Sequence, residues 1–375
     1  MKPEPFRLEA IFEQYEHQPD MLVIGASDAS SPTLRELAEL VGNTFHFDDV
    51  RLSYGDVRGD LRLREAIAHS YGDAIDAERV LVTIGGSEAI LIAASTLLAP
   101  GDVALVPKPA YQPLATLPSA VGATVETYEY TLHSEFGYEL DVEALLNRIA
   151  QKPPTLLVIN TPHNPTGHVI DESQMRTLLV SCRTHGVRVL VDEVFNGAWL
   201  NDTAPVPSAI TLDDSVMVVG SFSKVYGLSG VRVGWLAGSK ADITAARGIR
   251  HYTTIAPPLL VQTIAALAVE HRDAVFGRTQ DIVHRNQSVV LAWLHEHRDS
   301  FEWNQPHGGL VMLLRLRLSL SADELCHDLA KRHNVFIVPC DTTFGMERVL
   351  RLGLGTAPRV LKEGLSRFTT YLQSR

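Results

Sequence analysis

Between residues 80 and 237 short apolar runs alternate with stretches of helical periodicity. Residues 80–83, 103–106, 156–160, 187–191, 216–220 and 231–237 are nearly continuous in apolar side chains, and 121–130 holds a seventh run. Runs of four to eight apolar residues that do not alternate with polar ones suit strands buried on both faces. The stretches between them, such as 88–98 and 171–185, carry apolar residues at helical spacing. Strand and helix in strict alternation predict an α/β fold with a mostly parallel, seven-stranded sheet covered by helices on both sides.

The flanking segments differ. Residues 6–15 predict a short amphipathic helix, 25–32 a loop rich in Ser, Ala and Asp, and 33–41 another helix. Residues 53–72 begin with a glycine-punctuated turn and continue as a helix. From 257 to about 297 the pattern is helical, as two helices or one kinked helix. Beyond it, strand-like runs at 309–314, 335–338 and 348–354 mix with helices near 322–332 and 359–372, the mark of a smaller α+β layer. The expected organisation is therefore an N-terminal segment (1–44) joining the small domain, a large domain (45–256), connecting helices (257–297) and a small C-terminal domain (298–375).

Composition narrows the function classes. With 375 residues, 45% hydrophobic and 21% charged, the chain reads as a globular enzyme rather than a disordered one. A net charge of −11 speaks against nucleic acid or an anionic membrane as the main partner. The N-terminus lacks the apolar core of a signal peptide, and the longest apolar stretch, 89–99, is too short for a bilayer. Cys182, Cys326 and Cys340 are scattered, without the spacing of a thiolate zinc site, and fit a reducing, cytoplasmic setting. None of the fifteen histidines falls in a metal-binding pattern, so no metal is expected.

The candidate chemistry gathers at the ends of the predicted strands, where ligands of open α/β sheets bind. Lys224 sits between two apolar strands, and burial that penalises its charge also makes its amine a better nucleophile toward a carbonyl. Gly85, Gly86 and Ser87 open a helix whose free N–H groups suit a phosphate, although Ser87 would serve equally as an ordinary helix cap. Ser221 and Arg232 flank the lysine and offer a hydroxyl and a guanidinium to the same anion. Asp192 closes a strand of four apolar residues and needs a cationic partner. Asn164 stands in an Asn-Pro-Thr-Gly turn, either as an amide donor or as an Asx-turn. Tyr111 can stack on a planar ring or pack in the core. Arg351 alternates with apolar neighbours on a strand, a natural clamp for a carboxylate. Glu13, Asp28, His163, Tyr252 and Thr254 are weaker candidates for the mouth of the site.

Taken in order, YGDVRG, TIGGSEAI, PGDVALVPKPAY, NTPHNPTG, VDEVF, SFSKVYGLSGVRVGW and VLRLGLG resemble the class I/II aminotransferases of pyridoxal-phosphate (PLP) fold type I, over nearly the whole chain. The resemblance implies that Lys224 forms a Schiff base with PLP and shuttles the α-proton of an amino acid. It also implies that Asp192 pairs with the pyridine nitrogen, Asn164 with the ring's phenolic oxygen, and Arg351 with the substrate carboxylate. Gly86, Ser87, Ser221 and Arg232 would hold the phosphate, and Tyr111 would stack on the ring. Tyr54 would reach the phosphate of a neighbouring subunit, implying a homodimer with shared sites.

One departure stands out. Where the family commonly has Asp-Glu-x-Tyr, this chain has Phe195. A lost hydrogen bond to a charged oxygen costs about 1.5–3 kcal/mol, which would raise the Schiff-base pKa by roughly 1–2. The 25–32 loop lacks the family's Gly-x-Pro pattern, and Cys340 replaces a usual glycine. Segments IRHYTTIAPPL, AVEHRDA and NQPHGGL are similar to PLP enzymes that eliminate and recyclise a hydroxylated arginine. PLP-dependent amino-acid oxidases also lack the tyrosine. The expected function is transamination between an α-amino acid and a 2-oxo acid, with elimination–cyclisation or oxidation as the alternative. A PLP-binding regulatory domain is disfavoured, because no DNA-binding segment precedes the core.

Overall fold

The computed structural model describes residues 2–374 apart from 43, 44, 46 and 133–135. The N-terminal helix α1 (Arg7–Tyr15) leads into a two-residue strand, β1 (Leu22–Val23). The large sheet is then built from β2 (Val80–Thr83), β3 (Val103–Lys108), β4 (Thr124–Leu132), β5 (Tyr138–Leu140), β6 (Leu156–Asn160), β7 (Arg188–Asp192), β8 (Met217–Ser221) and β9 (Gly234–Ala237). Their spatial order is β2-β9-β8-β7-β6-β3-β4-β5. From β8 to β4 the neighbours are parallel, whereas β9 runs against both β2 and β8. The sheet has eight strands, one more than the pattern predicts. The extra one is β5, whose three residues turn back antiparallel onto the end of β4 and are too few to register as an apolar run.

Each apolar run divides its residues between two cores. Leu157 and Ile159 lie in one buried cluster with Val189, Val191 and Val218; Leu156 and Val158 lie in another with Leu190 and Val219. Successive side chains point to opposite faces of a strand, so both faces must be apolar and both are sealed. Burial of each such side chain stabilises the sheet by about 1.5–3 kcal/mol. Helix α2 (Gly85–Leu97) supplies much of the second cluster through Ala89, Ile90, Ile92 and Ala93. The helix Glu172–Thr184 starts at a capping box in which Asp171 and Gln174 satisfy each other's backbone N–H groups.

The region beyond residue 257 forms two helices, Leu259–Glu270 and Arg272–Glu296, which break at His271. They lead to a smaller sheet of β10 (Phe301–Trp303), β11 (Val311–Leu316), β13 (Val338–Pro339) and β14 (Val349–Gly353), ordered β10-β11-β14-β13 with antiparallel neighbours. The strand β12 (Val335–Phe336) pairs in parallel with β1, so the N-terminal segment is tied to the C-terminal layer by backbone hydrogen bonds. Among the described residues no helix is long and apolar enough to cross a membrane.

Candidate active site

Register brings the carboxyl ends of the central strands to one level. Asn160 lies opposite Asp192, Asp192 opposite Val219, and Ser221 opposite Gly234, which is also the partner of Thr83. Above these ends lies a cavity of about 860 Å³, closed on one side by the N-terminal segment and α1. Gly86, Ser87, Tyr111, Asn164, Asp192, Phe195, Ser221, Lys224, Arg232 and Arg351 all line it. Tyr54 does not; it is 81% exposed on the outer surface.

One end of the cavity is shaped for an anion. Helix α2 begins at Gly85, and no side chain caps it. Its first-turn N–H groups therefore face the cavity without an intrahelical partner, at the positive end of the helix. Gly85 has φ +72°, and a side chain there would lie 2.5 Å from the Arg232 guanidinium. Glycine is thus required both for the turn and for the close approach. Arg232 itself adopts φ +53° and donates Nη1 hydrogen bonds to Ser223 Oγ (3.2 Å) and the Ser229 carbonyl (2.9 Å). Ser221 Oγ accepts from the Ser223 N–H at 3.1 Å. Ser87 is not the helix cap; it sits in the first turn, and its side chain pulls the Tyr111 phenol's pKa down against burial. Burial pushes that phenol up to about 12, so Tyr111 stays protonated.

The cavity floor is a buried carboxylate. Asp192 is 2% exposed and accepts one backbone N–H, from Val194 at 3.1 Å. Burial pushes its pKa up to about 6, with the Val194 N–H and the charge of Lys224 pulling the other way. A group in this state gains from any cation placed over it. Asn160 fixes the level of the floor: its Nδ2 donates to the Asp192 carbonyl (3.1 Å), and its Oδ1 accepts from the Asn164 N–H (2.8 Å).

Arg351 is fully buried on β14, where its strand neighbours Leu350 and Leu352 belong to the apolar cluster that also holds Leu310 and Leu314. Its Nη1 donates to Asn164 Oδ1 (3.2 Å) and its Nη2 to the Gly25 carbonyl (3.0 Å), while Nε has no partner. Burial lowers its pKa from the ordinary arginine value. Arg351 lines the cavity, and a buried guanidinium that is only partly hydrogen-bonded is best offset by an anion. Lys224 Nζ donates to Ser27 Oγ at 3.0 Å and to Asp28 at 3.3 Å, so a single amine stands between the floor and the N-terminal loop. Phe195 has no exposed surface and belongs to the same apolar cluster as Leu310 and Leu354.

Some weaker candidates fall elsewhere. His163 is buried below the site rather than at its mouth. Its Nε2–H donates to the Pro109 carbonyl (3.0 Å), its Nδ1 accepts from Thr166 Oγ1 (2.8 Å), and its ring stacks on Tyr130 at 4.0 Å. Burial pushes it down to about 3, so it is neutral. It joins the loop carrying Tyr111 to the turn carrying Asn164. Thr254 bonds Glu88 on α2, Tyr252 is 91% exposed, and Glu13 is exposed away from the cavity. Asp28 does belong to the site. Sequence reading missed Ser27, Asn160 and Glu9: the first two look like ordinary loop and strand-end residues, and only the helical spacing of Glu9 with Phe12 and Glu16 hints at a shared face.

A family profile described as aminotransferase class I and II matches residues 22–368. Among characterised proteins, capreomycidine synthase of Streptomyces vinaceus is 30% identical over 352 residues, covering 94% of this chain and 89% of that protein. A PLP-dependent aminotransferase from Streptococcus suis superposes with a TM-score of 0.92 at 26% identity, covering 100% of this chain and 99% of the other. The PLP-dependent cyclase OrfR superposes with a TM-score of 0.91 at 27% identity, covering 100% and 98%. The backbone resembles an aminotransferase and a cyclase almost equally, so the fold does not separate the two reactions.

Proposed function

The chain belongs to the class I and II aminotransferases, and from that premise we propose that it is a PLP-dependent enzyme exchanging the amino group of an α-amino acid with a 2-oxo acid. One observation carries the proposal: an amine, a buried carboxylate, an uncapped helix N-terminus and a half-satisfied buried arginine converge on a single cavity. These groups fit PLP and its substrate. The α2 N-terminus, Ser221 and Arg232 would offer donors to a phosphate, Asp192 its charge to the pyridine nitrogen, and Asn164 and Tyr111 contacts to the ring. Bound there through Lys224, PLP would act as an electron sink that labilises the bonds at the substrate α-carbon.

The chain's own residues do the rest. Arg351 holds the substrate carboxylate through its unpartnered side, which fixes the α-carbon relative to Lys224. The Lys224 amine, when free beside the substrate α-carbon, would accept the α-proton as general base and return it as general acid. Ser27 and Asp28 hold that amine by hydrogen bonds while it is free.

A second reading, elimination and cyclisation, is favoured by Phe195, an apolar ring in the wall where a tyrosine would donate a hydrogen bond to the ring oxygen, by the unusual 25–32 loop, and by the likeness to capreomycidine synthase and the cyclase OrfR. Mixing the PLP-loaded enzyme with single amino acids, without any oxo acid, separates the two. Replacement of the visible band by the near-ultraviolet band of the aminated cofactor supports transamination. Catalytic loss of substrate with the visible band regenerated overturns it in favour of elimination or cyclisation, or of oxidation if oxygen is consumed. Lys224→Ala should retain cofactor non-covalently and lose turnover; full turnover in that variant would refute the assignment.

The exposed Leu52, Tyr54 and Tyr252 support assembly as a homodimer in which Tyr54 reaches the partner's phosphate site. Three free, buried cysteines support a reducing, cytoplasmic setting.

A further inference from the structure

The cavity continues past Lys224 and Arg351 toward α1, and its outer wall is acidic. Glu9, Phe12 and Glu16 lie at i, i+3 and i+7, on one face of the N-terminal helix and its cap, and all three line the cavity. Asp28 lines it from the loop opposite and is half-buried. These carboxylates sense one another: Glu9 is raised from its ordinary value by burial first, with Glu16 and Asp28 adding to the rise and Lys224 and Arg351 opposing it.

The basic groups facing this wall already have partners. Glu16 lies 3.1 Å from the imidazole of its neighbour His17. Arg351 is held by Asn164 and the Gly25 carbonyl, and its buried Nε has no hydrogen-bond partner among the described residues. The partner of Asp28 is Lys224, at 3.3 Å, whereas Glu9 has no ion-pair partner among the described residues. The wall thus sets three carboxylates, Glu9, Glu16 and Asp28, against the single amine of Lys224, and a positive charge arriving with the ligand would relieve their mutual repulsion. An α-amino acid whose carboxylate lies on Arg351 and whose nitrogen lies at Lys224 has its side chain left to extend along this wall.

We infer that the site selects α-amino acids with a positively charged side chain, an amine or a guanidine, and that Asp28 and Glu9 are the residues that read the charge. The inference rests on the PLP-enzyme reading above and holds for transamination and cyclisation alike. Recognition by two carboxylates is bidentate with a guanidinium and monodentate with an amine, so a guanidine is the better fit.

The test compares arginine with citrulline, which keeps the shape and loses the charge, and lysine with norleucine, each as substrate of the PLP-loaded enzyme. The ratio of kcat/KM for the charged over the neutral member should be about 10- to 100-fold, the usual worth of a charge-assisted hydrogen bond. In Asp28→Asn combined with Glu9→Gln the ratio should fall toward unity. Both substrates are measured on one preparation, so any general loss of activity cancels from the ratio. Equal handling of arginine and citrulline by the parent enzyme would overturn the inference, as would an undiminished ratio in the double variant. A parent enzyme that reacts with neutral amino acids and shows no charge preference sinks this inference alone. Failure of every amine to change the cofactor spectrum sinks the PLP reading beneath it as well.

Discussion

Replacing Asp192 with Asn removes a buried charge whose cost is present before any ligand arrives. The carboxyl is 2% exposed, with one backbone N–H and the neighbouring Lys224 charge in its favour. Burial holds its pKa at about 6 against an ordinary 3.8. At 1.36 kcal/mol per pKa unit that gap is worth about 3 kcal/mol. The folded chain holds this proton more tightly than the unfolded one. The penalty is therefore absent below pH 3.8, grows as pH rises, and is complete above about 6. Asparagine keeps an acceptor for the Val194 N–H and has no charge to desolvate. Cofactor-free Asp192→Asn should exceed the cofactor-free parent in stability by up to about 3 kcal/mol at pH 8 and by little at pH 4. Scaled by a typical unfolding entropy per residue, this corresponds to about 4 °C in Tm for a chain of this length. Glu193, raised to about 7 by burial, adds a slope of the same sign to both proteins. Thermal unfolding followed by circular dichroism between pH 4 and 8 reads the difference. Turnover of the loaded variant should meanwhile fall by about 10²–10³-fold, since a buried ion pair would lose one partner. A variant less stable than the parent at pH 8, or equally stabilised at both ends of the range, would refute the reasoning.

Two further changes probe the walls of the site. His163→Phe keeps the ring stacked on Tyr130 but leaves the Pro109 carbonyl and the Thr166 hydroxyl without their partner, at about 1–3 kcal/mol each; urea unfolding should show this loss, and cofactor affinity should weaken with it. Phe195→Tyr adds a hydroxyl at the cavity wall and should lower the pH at which the cofactor's visible band titrates by roughly 1–2, read by absorbance against pH; an unmoved midpoint would show that the hydroxyl does not reach the ring oxygen.

What the sequence determined by itself follows from short-range physics. Near-continuous apolar runs have no stable place except between two helical layers, so the large sheet, the two long helices and the capped helix at Asp171 were all legible. The candidates Lys224, Asp192 and Asn164, at or just beyond the ends of apolar strands, and Arg351, within one, could be picked out as polar exceptions, and the fold brings all four to one cavity. The short strand β5 was not, because three residues carry no periodicity and pair only after β4 is in place. Nor could the chain alone show that Asp28 meets Lys224 across 196 residues, or that Arg351 reaches Asn164 across 187. Those contacts depend on β1 docking beside β12 and on where β14 places its arginine. The acidic face of α1 reads as an ordinary solvated helix until the fold lays it over the cavity. Composition and spacing thus singled out candidate residues, and tertiary packing decided which of them share a space.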